Sequence, residues 1–183
     1  MRVKIIRHGK VDMDWKKRYT SKEYSTVWDR YDEMDIFPVT VHCDTYPNRR
    51  VYVTDMKRTH QTAEQYLGVS DYEVLPVLMN EVPLVPFIRT RLHLAKRIFD
   101  IMGRIQWYFP WSRQPETRGA TYDRCDRLIA FLEDRDEDCV LVLHGFYMHA
   151  LLGALKKHGY QLDKKHFVIK NLCTVEAVKE IAS

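Results

Sequence analysis

Several chemical signatures are missing from this chain. Its four cysteines, Cys43, Cys125, Cys139 and Cys173, form no C-x-x-C pair, so the usual spacing of a structural zinc site is absent. No two histidines show H-E-x-x-H or related spacing, and no metal or other cofactor is expected. No apolar stretch approaches the ~20 residues that cross a bilayer, so no membrane partner is expected. No charged and apolar leader precedes the strand-like run at residues 1–7, which argues against a signal peptide. With the cysteines read as reduced thiols, a cytoplasmic protein is expected. Basic residues are spread along the chain rather than gathered in a stripe. The net charge of +4 therefore suits an acidic small molecule better than nucleic acid. There is no internal repeat and no low-complexity tract. What remains is 183 residues, 45% hydrophobic and 30% charged, enough for one soluble domain with a proper core.

One pattern occurs twice. Residues 3–9 read VKIIRHG and residues 139–145 read CVLVLHG. Each is a short apolar, β-branched run that stops at His-Gly. Such a run is what a buried parallel strand looks like. The glycine lets the backbone turn sharply and approach a ligand closely. In open α/β sheets, ligands sit beyond the carboxyl ends of the strands. His8 and His144 are thus expected at one crevice, with Arg7 arriving beside His8. Two imidazoles and a guanidinium together suit an anion, above all a phosphate.

The rest of the chain alternates strands with helices. Thr20 and Glu23 have capping-box spacing and open a helix to about Met34. Residues 36–49, with Pro38 and Pro47, read as irregular. VYV at 51–53 is a second strand, followed by a helix from about Lys57 to Leu67 closed by Gly68. Residues 72–78 are a third strand candidate interrupted by Pro76, and 79–88 a proline-punctuated loop. Helical spacing recurs from about Arg91 to Phe109 and again over 121–134. Strand 139–143 leads into a helix reaching about His158, and 173–178 reads as a last strand. This predicts an α/β fold, a single three-layer domain with a mainly parallel central sheet and helices on both faces.

A third strand end adds to the crevice. Arg58 lies in the first turn of the helix after VYV, where it can hold a phosphate oxygen beside the positive end of the helix dipole. Arg7-His8-Gly9, TDMKRTHQTAE at 54–64, Glu81 and LHG at 143–145, in this order and spacing, resemble the histidine phosphatase superfamily, also called phosphoglycerate mutase-like. NLCTVEAV at 171–178 resembles its closing strand. The resemblance spans nearly the whole chain.

It implies a phosphomonoester hydrolase with His8 as the nucleophile and a phosphohistidine intermediate. Arg7, Arg58 and His144 would clamp the phosphoryl oxygens, and Glu81 would protonate the leaving oxygen. Val82-Pro83-Leu84 follow Glu81 where the family places glycines and aromatics, so Asp12, Asp14 and Asp55 stand as substitutes for the acid. Asp14 also stands near the place of a phosphate-binding asparagine, and Phe146 where a small residue is usual. Asp14, Trp15 and Phe146, with Tyr19, are expected at the pocket rim. His60, two residues from Arg58, and His149, a turn beyond Gly145, read as structural or solvated histidines. Residues 84–115 are expected to form a helical lid insertion. Most of its arginines and aromatics read as solvated or packing residues, although a pocket for an acidic or ring-bearing ester is the other reading. The expected partner is a small phosphorylated metabolite, and a phosphatase is favoured because the family's mutases are longer. The rivals are a catalytically silent phosphate-binding or regulatory module, a mutase-type phosphotransferase, and a binuclear metal phosphatase.

Overall fold

A computed structural model describes residues 1–43, 49–163 and 169–179. Pro47 and His166 fall outside the described residues. Apolar and branched side chains alternate along the strands, and the two sets pack in opposite directions. Val3, Ile5, Tyr52, Leu141, Leu143, Val175 and Ala177 join one core, together with Leu128, Ile129, Leu151 and Leu155 from two long helices. Ile6, Val51, Val53, Val140 and Val142 join another with Ala63 and Leu67. A sheet buried on both faces by helices is the three-layer arrangement.

The strands are β1 (Arg2–Arg7), β2 (Arg18–Tyr19), β3 (Arg50–Val53), β4 (Glu73–Val74), β5 (Leu94–Ala95), β6 (Cys139–Leu143), β7 (Gln161–Leu162) and β8 (Thr174–Val178). Among the described residues, six form the main sheet in the order β4-β3-β6-β1-β8-β7. β4, β3, β6 and β1 run parallel, whereas β8 pairs antiparallel with β1, and β7 with β8. The helices are α1 (Ser21–Glu33), α2 (Lys57–Thr62), α3 (Pro76–Met79), α4 (Lys96–Gln106), α5 (Arg118–Arg135) and α6 (Gly145–Lys157). The capping box opens α1 as expected: Glu23 N donates to Thr20 Oγ1 and Thr20 N to Glu23 Oε2. Among the described residues, no helix is long and apolar enough to cross a membrane.

Four elements depart from expectation. The 72–78 strand is only Glu73–Val74, because Pro76 cannot donate to a ladder and instead starts α3. The helix expected from Arg91 begins at Lys96, since Leu94–Ala95 pair with Arg18–Tyr19 in a two-stranded ribbon. The helix after β3 loosens into a π-helical turn at Ala63–Leu67 before Gly68, which closes it at φ 67. α5 starts three residues early because Thr117 caps it through Ala120 N.

Candidate active site

Parallel pairing sets the site. Arg7 lies opposite Leu143 in the β1–β6 register, and His8 N donates to Leu143 O at 2.9 Å. Both His-Gly steps therefore leave the sheet at the same edge. The His8 and His144 ring centroids are 5.2 Å apart. β3 ends beside them, and the first turn of α2 brings in Arg58, whose Nε donates to His144 Nδ1 at 3.3 Å. The sequence-predicted His8, His144, Arg7 and Arg58 thus meet in one place.

His8 is almost fully buried, and its Nδ1 lies 2.7 Å from the Gly9 carbonyl oxygen. A carbonyl can only accept, so Nδ1 carries the proton and Nε2 keeps its lone pair. Burial, with the Arg58 guanidinium next in weight, pulls the His8 pKa down to about 3. Asn171 Nδ2 donates to His8 O, and Thr62 Oγ1 accepts from Gly9 N, so the backbone around the ring is fixed from two further segments. His144 is fully buried, and burial holds its pKa well below the ordinary value, with His8 and Arg58 adding to the effect. Its Nδ1 accepts from Arg58 and its Nε2 faces Thr54 Oγ1 at 3.1 Å. Both ring nitrogens are engaged, and the ring stands behind the cavity wall rather than on it.

Arg7 donates from Nη1 to Ile169 O, while its buried Nε has no partner among the described residues. It passes over Gly145, where a Cβ would sit 2.9 Å from Nε and 3.0 Å from Cζ. A side chain at position 145 would therefore displace the first motif's guanidinium. Arg58 is also held by Asp32, its Nη1 lying 2.6 Å from Oδ1. Sequence reasoning missed Asp32 and Asn171. Each joins the site across a long stretch of chain, and no local pattern marks it.

Glu81 stands at the N-terminus of α6. Its carboxylate accepts from Val82 N at 2.9 Å, Tyr147 N at 3.0 Å and Phe146 N at 3.4 Å. Glu81, Arg7, His8, Arg58 and Phe146 all line one cavity of about 580 Å³. Its outer walls are α1, through Trp28 and Asp32, and the 84–115 segment, through Leu84, Lys96 and Arg104.

Several rim expectations are corrected. Asp14 is exposed and lies off the cavity, because Val11 and Met13 are buried in a small cluster and the alternation turns residue 14 outward. Trp15 packs under the site against Trp28 and Tyr31, with Lys96 Nζ 4.2 Å above its ring, instead of facing the cavity. Tyr19 is a buried core residue. Asp12 and Asp55 are exposed and line no part of the cavity. His149, read as packed or solvated, is exposed on the cavity wall. His60 lies off the site between the Thr54 carbonyl and the Tyr72 hydroxyl.

The family model described as histidine phosphatase superfamily (branch 1) matches residues 3–179. The chain belongs to that superfamily. Its fold is similar to a putative alpha-ribazole-5'-P phosphatase from Escherichia coli, at TM-score 0.56 and 17% identity over 96% of this chain and 89% of that one. It is also similar to a phosphoserine phosphatase mutant from Entamoeba histolytica, at TM-score 0.54 and 14% identity over 96% and 89%. A mycobacterial glucosyl-3-phosphoglycerate phosphatase matches at TM-score 0.53 and 18% identity over 96% and 90%. No curated protein sequence matches the chain. In this histidine phosphatase fold, a neutral imidazole and two guanidiniums line one strand-end cavity.

Proposed function

We propose that the chain is a metal-independent phosphomonoester hydrolase that acts through a phosphohistidine on His8, with a small phosphorylated metabolite as substrate. The observation that carries this reading is the state of His8: proton on Nδ1 against the Gly9 carbonyl, lone pair on Nε2, and two arginines beside the ring. Nε2 attacks phosphorus, the ester P–O bond breaks, and the leaving oxygen takes a proton from the Glu81 carboxyl. Water then attacks the phosphohistidine, its proton passes to the Glu81 carboxylate, and the N–P bond breaks to release inorganic phosphate. Arg7 and Arg58 supply the charge neutralisation at the transferring oxygens that a metal supplies elsewhere. His144 holds Arg58 at Nε and Asp32 holds it at Nη1, so the guanidinium is oriented before the ester arrives. The 84–115 segment serves as the lid.

A cavity of about 580 Å³ suits a small ester, within the ~300–1,000 Å³ common for small-molecule sites. The names of the similar phosphatases also point to small phosphate esters. A second reading, a silent phosphate-binding module, is favoured by one feature: both Glu81 oxygens already accept backbone N–H groups. Hydrolysis of 4-nitrophenyl phosphate with excess chelator, beside His8→Ala, separates the two. Turnover that persists with chelator and falls at least about 10³-fold in the variant is expected. Binding of vanadate without turnover would establish the module. Loss of activity on chelation would contradict metal independence.

A further inference from the structure

A second cavity of about 570 Å³ lies next to the first. Four of its lining residues are cations, Lys22, Arg89, Arg91 and Arg113, and no carboxylate lines it among the described residues. None of these four side chains makes a hydrogen bond or ion pair with another described residue. Glu23, one position beyond Lys22, is already held by Lys16, His93 and the Thr20 backbone. The cavity over His8 differs: there Asp32 answers Arg58 and Asp100 answers Lys96. Four like charges in one cleft repel one another and raise the local concentration of anions.

The backbone that carries Lys22, Arg89 and Arg91 is fixed. Ser21 is buried at the start of α1; its Oγ donates to Ile88 O and accepts from Thr90 N, and its own N donates to Thr90 O. This ties the segment bearing Arg89 and Arg91 to the turn bearing Lys22. The two cavities share Ser25 and Val85 in their walls, so they are immediate neighbours.

We propose that this cleft binds a second anionic group, a phosphate or carboxylate, on the same molecule whose phosphomonoester lies against His8. The inference rests on the hydrolase reading and narrows its substrate to esters with an anionic arm. Planar guanidiniums at Arg89, Arg91 and Arg113 match either oxyanion.

The test compares alkanediol bisphosphates of four, six and eight carbons with the matching alkyl monophosphates. The proteins are the wild type and the double variant Arg89→Ala/Arg91→Ala, whose altered residues do not line the His8 cavity. The expected result is a bisphosphate preference in kcat/KM of about tenfold for at least one length, lost in the double variant. Monophosphate turnover should stay within about twofold. No preference at any length, or a preference that survives the substitutions, would overturn the proposal. Two further arms identify other sources of the anion. If inorganic phosphate alters monophosphate turnover through the cleft arginines without any bisphosphate preference, the cleft serves a separate anion. If phosphatidylserine vesicles bind through them instead, it serves a lipid headgroup. Either result also overturns the proposal. Should the wild type hydrolyse none of the esters, the hydrolase reading fails by itself. Calorimetry with the same pairs then decides the cleft: tighter bisphosphate binding lost in the double variant supports it, and equal binding overturns it.

Discussion

An imidazole attacks phosphorus only through an unprotonated nitrogen. The Gly9 carbonyl and burial beside Arg58 keep His8 neutral with Nε2 unprotonated, the form that the proposed attack needs. The four residues that build this centre were legible in the sequence because each ends a strand, follows one or opens the helix after one. Asp32 and Asn171 were not, since their hydrogen bonds to Arg58 and His8 span 26 and 163 residues. Local spacing carries no trace of such a contact. Glu81 yields a prediction at this scale. An acid matters most when the leaving group is poor, and Glu81→Gln keeps an oxygen to accept from the α6 backbone. Its kcat should fall about 10²–10³-fold for an alkyl phosphate, but much less for 4-nitrophenyl phosphate, which leaves readily without a proton. Equal losses on both esters would remove Glu81 as the acid.

Elements with long, clear periodicity were read correctly: β1, β6, α1 and α6 follow from apolar runs and a capping box. Three of the two-residue strands, β2, β5 and β7, are too short for any period to show, and each exists only because a distant partner supplies its hydrogen bonds. The same holds for the start of α4, which tertiary pairing delays. Tyr19 and Trp15 were misplaced because aromatic residues that follow a site histidine look alike in sequence whether they pack under a site or rim it. The junction of β6 and α6 gives the prediction at this level. Gly145→Ala puts a methyl within 2.9 Å of Arg7 Nε. The guanidinium can swing aside, so the protein should fold, but vanadate affinity and kcat/KM should each drop by about tenfold. Unchanged vanadate affinity would show that Arg7 takes no part in the clamp.

Among the described residues, His8 and His144 are buried and held neutral, and this makes the stability of the whole molecule depend on pH. In the unfolded chain His8 titrates near 6.5; in the folded protein its pKa is about 3. His144 is shifted in the same direction. Between the two His8 values the unfolded state binds the extra proton, so stability rises with pH there and is lost as pH falls from 6.5 toward 3. One such histidine accounts for about 2 kcal/mol between about pH 7 and about pH 5. Urea unfolding near those two pH values should show this loss, and His8→Ala should reduce it by about that amount. An identical pH dependence in the variant would mean that His8 is not held neutral by the fold.

The proposed chemistry passes through a covalent phosphoryl group on His8. Wild-type protein and His8→Ala, mixed with an ester carrying a radiolabelled phosphate and quenched either in alkali or in acid, test it most directly. The expected label survives alkali, is lost in acid, and is absent from the variant. Label that withstands acid, or label of equal amount on His8→Ala, would contradict it.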